Sequence, residues 1–266
     1  MHIASSIVEV VLAGFVISEV VRFVPRYRQL KEAVANGDTR ARTRTYQRAL
    51  VFEWISALLA LAALGFDWTK LNPRLLGLAD ARLMQSLAPD SDAARGAAFG
   101  VLIGVLAGTV GMIAARMRAR RRGAKPAPDV HAPQPWWRKL LPDFTALLPS
   151  TTQERLLWVL VAISAGVCEE VVFRGWLLAM LHGQIGLNGG ALIGVAAALF
   201  GLAHIYQRTS GVILTAFAGA LFCVLYVATG SLLIPIVLHI IVDARFALLP
   251  APRVPNAQAS ASASYA

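Results

Sequence analysis

Six side chains in the second half of this sequence carry charge or an imidazole inside apolar runs: Glu169, Glu170, Arg174, His204, His239 and Asp243. An ionisable group at mid-bilayer costs ~2.5–3.5 kcal/mol even on a gentle insertion scale. Left unpaired, the set would cost more than roughly 10 kcal/mol, comparable with the whole stability of a folded domain. The six must therefore face one another or a watery cavity. Helical spacing shows how. Residues four apart share a face, so Glu170 can pair with Arg174, while Glu169, rotated by about 100°, is left to face a cavity. The same spacing relates Phe200 to His204 and His239 to Asp243, so that Asp243 can hold the His239 ring in one orientation.

One free carboxylate, two imidazoles and a second carboxylate suit the activation of water. A base takes its proton while donors stabilise the oxyanion formed at a carbonyl. Read from residue types alone, the same groups also allow a zinc site, with Glu169, His204 and His239 as three ligands and water as the fourth. Other protease chemistries lack their motifs. Ser164 sits in Ile-Ser-Ala-Gly and not Gly-x-Ser-Gly, and there is no HExxH and no paired Gly-x-Gly-Asp. Cys168, beside Glu169, reads as a small buried packing residue, and the two cysteines (Cys168 and Cys223) suggest no disulfide or structural zinc. His131 and His182 fall in or near loops. Glu9, Glu19 and Glu53 read as interfacial or interhelical contacts.

The elements that must position these groups are membrane helices. Of 266 residues, 57% are hydrophobic and only 15% charged, against ~25% charged in an ordinary soluble domain. About 20 apolar residues cross a ~30 Å hydrocarbon core. Runs of about that length at 3–23, 50–66, 97–115, 158–181, 191–206, 212–228 and 232–249 predict an all-α polytopic membrane protein. It has about seven spans, eight as the upper count, with a polar cavity among the last four. Thr151-x-x-Glu154 has the form of a capping box ahead of the fourth.

The net charge of +10 would suit nucleic acid if it formed a patch, but the basic residues flank apolar runs and report orientation instead. Arg22 to Arg48, between spans one and two, and Arg116 to Lys139, after span three, mark cytoplasmic loops. The loop between spans two and three nearly balances its charges. With seven spans the amino terminus lies outside and the carboxyl terminus in the cytoplasm. Under this topology His204 falls at the cytoplasmic end of its span. The run beginning at Ile3 lacks a basic leader and a cleavage site, and reads as a retained helix. Four regions follow: a three-span unit at 1–115, a basic Pro-rich cytoplasmic loop with an interfacial segment around Trp136 and Trp137 at 116–150, a catalytic membrane domain at 151–249, and a disordered Ala/Ser-rich tail at 250–266.

Glu169-Glu170-Val-Val-Phe173-Arg174-Gly175, then Phe200-Gly-Leu-Ala-His204, then His239-Ile-Ile-Val-Asp243 resembles the three-motif signature of the CAAX protease and bacteriocin-processing family of intramembrane endopeptidases. The likeness covers about 155–249. It implies an enzyme that hydrolyses a peptide bond of a membrane-associated protein or peptide without a cofactor, zinc being the alternative. It implies Glu169 as the base that activates water with His204 assisting, Glu170 and Arg174 as supporting residues, and His239 with Asp243 as the pair facing the carbonyl oxygen. Many members have Asn at the last position. An ionised Asp cannot donate, so orientation of His239 is the role expected of Asp243 here. The expected partners are membrane lipid and the substrate, not nucleic acid. From other classes, a silent scaffold or immunity protein would use the same cavity for binding only. A transporter would show repeat symmetry, which is missing.

Overall fold

The computed structural model describes residues 2–64, 91–121 and 142–249. Expectations for the region after residue 64, for Trp136, Trp137 and His131, and for the tail fall outside the described residues. Regular structure among the described residues is all helical. It comprises α1 (His2–Ala35), α2 (Ala41–Ala63), α3 (Ser91–Arg121), α4 (Thr152–Gly183), α5 (Gly189–Ala203), α6 (Arg208–Thr229) and α7 (Leu233–Ala244). These helices fall on the seven apolar runs. By length and composition, Thr152–Gly183 and Ile205–Thr229 each suffice to cross a membrane. The helices α5 and α7 have 15 and 12 residues. That is about 22 and 18 Å of α-helix, short of a ~30 Å core, and each continues as a 3₁₀ turn, Ile205–Gln207 and Arg245–Leu248.

The start of α4 is fixed by its sequence. Glu154 N–H donates to Thr151 Oγ1 at 3.1 Å and Thr151 N–H donates to Glu154 Oε2 at 3.2 Å, the reciprocal bonds of a capping box. The same carboxylate accepts from Ser150 N–H and Oγ, both at 2.6 Å, and lies 3.8 Å from buried Arg42 of α2. Arg42 also donates to Ala146 O and Ser150 Oγ, so the α4 amino terminus is anchored to α2. In the α1–α2 turn, the Arg40 N–H and the Arg44 guanidinium hold the Asp38 carboxyl below its ordinary range.

The helix α4 packs between α2 and α7, while α5 packs on α6 and α3 rests against α6. Small residues permit the closest approaches. A Cβ on Gly166 of α4 would lie 2.5 Å from Ile240 Cγ1 and 3.1 Å from the Ile240 backbone N of α7, so only glycine lets these helices meet as they do. The core joins Leu12 of α1, Ala60 of α2, Leu178 of α4, Leu192 of α5, Tyr226 of α6 and Ile236 of α7. Outside it, Val10, Val110, Leu156 and Phe217 are largely exposed, an apolar rind suited to lipid.

Contacts at the two ends show which connections share a side. Asp143, before α4, accepts from Tyr27 and Lys31 of α1 and lies 3.2 Å from Arg208 at the start of α6. At the other end, Gln184 after α4 bonds Glu9 near the start of α1.

Candidate active site

Between α1, α2, α4, α5, α6 and α7 lies a cavity of about 860 Å³. Its walls are mostly apolar, with Val16, Phe52, Leu214 and Leu221 among them, and its polar lining includes Glu53, Glu169, His204, His239 and Asp243. The basic residues Arg26, Arg44, Arg48 and Arg245 border it.

The carboxyl half of α4 changes pitch at Val171–Leu177, a π-helical stretch immediately after the two glutamates. Such turns are uncommon and cluster at functional sites. Glu170 and Arg174, 0% and 1% exposed, form the expected pair, Nη1 to Oε1 at 2.9 Å. Arg174 also donates to Gly219 O at 3.1 Å, and its guanidinium lies over the Phe200 ring at 4.3 Å and the Phe222 ring at 5.3 Å. Phe200 thus supports the arginine from α5. A Cβ on Gly219 would sit 2.9 Å from the Phe200 ring, so the bare backbone lets ring and carbonyl share the guanidinium.

His239 is where the ion pair meets the cavity. Its Nδ1 lies 2.8 Å from Glu170 Oε1. A carboxylate with one proton short can only accept, so Nδ1–H donates and Nε2 points the other way. Nε2 is 3.5 Å from Asp243 Oδ2 and 3.8 Å from Glu169 Oε2. The short orienting contact to the ring therefore comes from Glu170, in place of the Asp243 expected from spacing. The i, i+4 relation does bring Asp243 beside the ring, but on its Nε2 edge. Glu169 carries a buried oxygen, Oε2, without a hydrogen-bond partner among the described residues.

His204 caps the end of α5, where the helix gives way to the 3₁₀ turn Ile205–Gln207. Its Nδ1 lies 2.9 Å from Phe200 O. A carbonyl only accepts, so Nδ1 carries the proton and a neutral ring keeps the Nε2 lone pair for the cavity. The turn is held from α1. Tyr206 packs edge-on against Phe23 at 4.7 Å and Tyr27 at 5.3 Å, and Asp143 N–H donates to Gln207 O.

The structure thus gathers Glu169, Phe200, His204, His239 and Asp243 on one cavity, with Glu170 and Arg174 behind them. Cys168 and Cys223 are buried free thiols. His182 bonds Leu187 O away from the site, and Glu19 pairs with Arg22 and Arg26. Among the described residues no cluster of three or more His, Cys, Asp or Glu is placed to hold a metal ion. The residue that spacing missed is Glu53, read as an interhelical contact and found on the cavity wall. Its signal was an acid in an apolar run with no oppositely charged residue three or four positions away.

Residues 151–245 match the family model described as type II CAAX prenyl endopeptidase Rce1-like. The matched segment is about a third of the chain, and over it the protein resembles an Rce1-like CAAX endopeptidase domain. The match is consistent with the CAAX protease and bacteriocin-processing family, and the likeness supports a membrane protease in general terms. No curated protein and no solved structure matches the chain. The matched segment contains Glu169, Glu170, Arg174, Phe200, His204, His239 and Asp243, whereas α1, α2 and α3 lie outside it.

Proposed function

We propose that the protein is an intramembrane endopeptidase in which Glu169 activates water against a peptide bond of a membrane-associated protein or peptide. The observation that carries this reading is the contrast between neighbouring glutamates. Glu170 is committed through Oε1 to Arg174 and His239 and does not line the cavity, whereas Glu169 lines it, with His239 Nε2 3.8 Å from its Oε2.

Water held between Glu169 and the His204 Nε2 lone pair gives its proton to Glu169 as its oxygen bonds to the carbonyl carbon. The carbonyl oxygen gains the displaced electron pair and takes a hydrogen bond from His239 Nε2. With Nδ1–H committed to Glu170, Nε2 donates as part of an imidazolium, whose charge is balanced by Glu169, Glu170 and Asp243. When the tetrahedral intermediate collapses, the C–N bond breaks and Glu169 returns the proton to the leaving nitrogen. The family description makes a prenylated CAAX-type peptide the first substrate to offer, and an apolar cavity of about 860 Å³ suits a lipid chain. No metal is required. We read the charge pattern as that of an integral membrane protein with the basic connections, and the carboxyl terminus, in the cytoplasm.

The test is mass spectrometry of fragments released in proteoliposomes from a prenylated CAAX-type peptide, and from membrane proteins of the expressing cell, by wild type and by Glu169→Gln and His204→Ala. Wild type should release fragment pairs that Glu169→Gln does not, with a rate loss of roughly 10²–10⁴-fold for a general base. EDTA should leave the rate unchanged. Equal fragments from wild type and Glu169→Gln would leave the scaffold reading, and loss in EDTA with recovery in zinc would leave the metal one.

A further inference from the structure

His204 stands where the chain reverses. It ends α5, and Ile205–Gln207 turns the backbone into α6. The reversal is tight because the two helices meet just beyond it. A Cβ on Gly201 of α5 would lie 2.6 Å from Val212 O and 2.7 Å from Ala216 Cβ of α6. The strain falls on Arg208, whose φ of 70° and ψ of 177° lie in a region that only glycine adopts readily. Among the described residues no other non-glycine residue has a positive φ. A strained backbone persists only where its surroundings over-determine it. Here those surroundings come from outside the matched segment 151–245.

Asp143 grips the turn twice. Its N–H donates to Gln207 O at 3.1 Å, and its Oδ2 lies 3.2 Å from Arg208 Nη2. The carboxylate is fixed in turn by α1, with Lys31 Nζ donating to Oδ2 at 3.1 Å and Tyr27 OH to Oδ1 at 3.3 Å. The Tyr27 ring packs edge-on against Tyr206 at 5.3 Å, and Tyr206 lies 6.0 Å from the His204 ring. Contacts from Asp143 and α1 thus fall on Tyr206, Gln207 and Arg208, three of the four residues after His204. If the turn relaxed, His204 Nδ1 would leave Phe200 O, 2.9 Å away, and with it the tautomer that keeps the Nε2 lone pair for the cavity. We propose that Asp143 is a positioning residue for His204, clamping the strained turn so that Nδ1–H stays on Phe200 O and Nε2 on the cavity. Its effect on cleavage rests on the protease reading of that cavity.

Glycine at position 208 separates the clamp from an ordinary surface ion pair. Arg208→Ala and Arg208→Gly lose the same tether to Asp143, but only glycine takes the backbone without strain. The experiment compares wild type, Asp143→Ala, Arg208→Ala and Arg208→Gly in proteoliposomes by two readouts. One is cleavage of a peptide that wild type cuts in a Glu169-dependent manner. The other is nitrogen NMR of isotope-labelled histidine at mildly alkaline pH, with the His204 signals assigned by their absence in His204→Ala. Asp143→Ala should lower kcat roughly 10- to 100-fold, the scale of a misplaced catalytic group, with KM within about threefold. Arg208→Ala should lose roughly tenfold, and Arg208→Gly should stay within about threefold of wild type. His204 should show the single Nδ1–H tautomer in wild type and Arg208→Gly, and a mixture in the other two. Equal losses in the two Arg208 variants, an unchanged His204 tautomer in Asp143→Ala, or loss of folded protein in all three variants would each overturn the proposal. If wild type yields no Glu169-dependent fragments, the protease reading fails and the NMR comparison alone decides whether Asp143 positions His204.

Discussion

Glu170 Oε1 serves two partners at once, Arg174 at 2.9 Å and His239 at 2.8 Å, and that sharing makes it the pivot between stability and chemistry. Glu170→Gln leaves a fully buried guanidinium without a counter-charge, which should cost about 3–5 kcal/mol. Arg174→Met strands the acid in the same way. The double variant removes both charges and should recover most of the loss, a coupling read from thermal unfolding in detergent. Full additivity would show that the pair is not the unit of stability. The Glu170–Arg174 pair was legible because i, i+4 spacing is a local property. The Glu170–His239 bond spans 69 positions, and nothing local distinguished which edge of the ring Asp243 would meet. Glu53 was visible only as an acid in an apolar run, since its significance depends on which wall of the cavity α2 forms.

Helices place these side chains, and their contacts are set by residues with no chemistry of their own. Gly166 of α4 packs against Ile236 and Ile240 of α7, and α7 carries His239 and Asp243. Gly166→Ala would force the two helices apart, with an expected stability loss of about 1–3 kcal/mol. It should also slow cleavage, because Glu169 on α4 and His239 on α7 must keep their spacing. Adding Ile240→Ala removes the closest clash, with Cγ1, but not the backbone approaches at 3.1 and 3.2 Å, and should restore part of both melting temperature and rate. Restored stability without restored rate would mean that helix spacing does not govern the site. The positions of all seven helices followed from apolar runs, and the α4 capping box from four residues. Two features did not: the π-helical stretch at Val171–Leu177 and the end of α5 at Ala203, one residue before His204. Apolar periodicity does not register a change of pitch or an early helix end at either place, and tertiary packing decides both.

At the scale of the whole molecule, the ends of the bundle link composition to geometry. Basic residues assign the α1–α2 connection and the segment before α4 to one side of the membrane, and the even number of crossings made by α4 and α5 puts the α5–α6 turn there too. Asp143, Lys31 and Arg208 come from those three places and meet. The opposite pairing, Glu9 with Gln184, joins two places assigned to the other side. Contacts settle which connections are neighbours, while only the charge bias says which end faces the cytoplasm. Single cysteines decide it. Asn36 in the α1–α2 turn and Thr229 at the end of α6 are exposed, and both native thiols are buried. With a membrane-impermeant maleimide, Thr229→Cys should label in intact cells and Asn36→Cys only after permeabilisation. The reverse pattern would invert the protein and turn the His204 end of the cavity outward, so that substrate would be presented from outside the cell. Labelling of both from one side would reject the seven-span path, because these two positions are separated by five crossings and an odd number must put them on opposite faces.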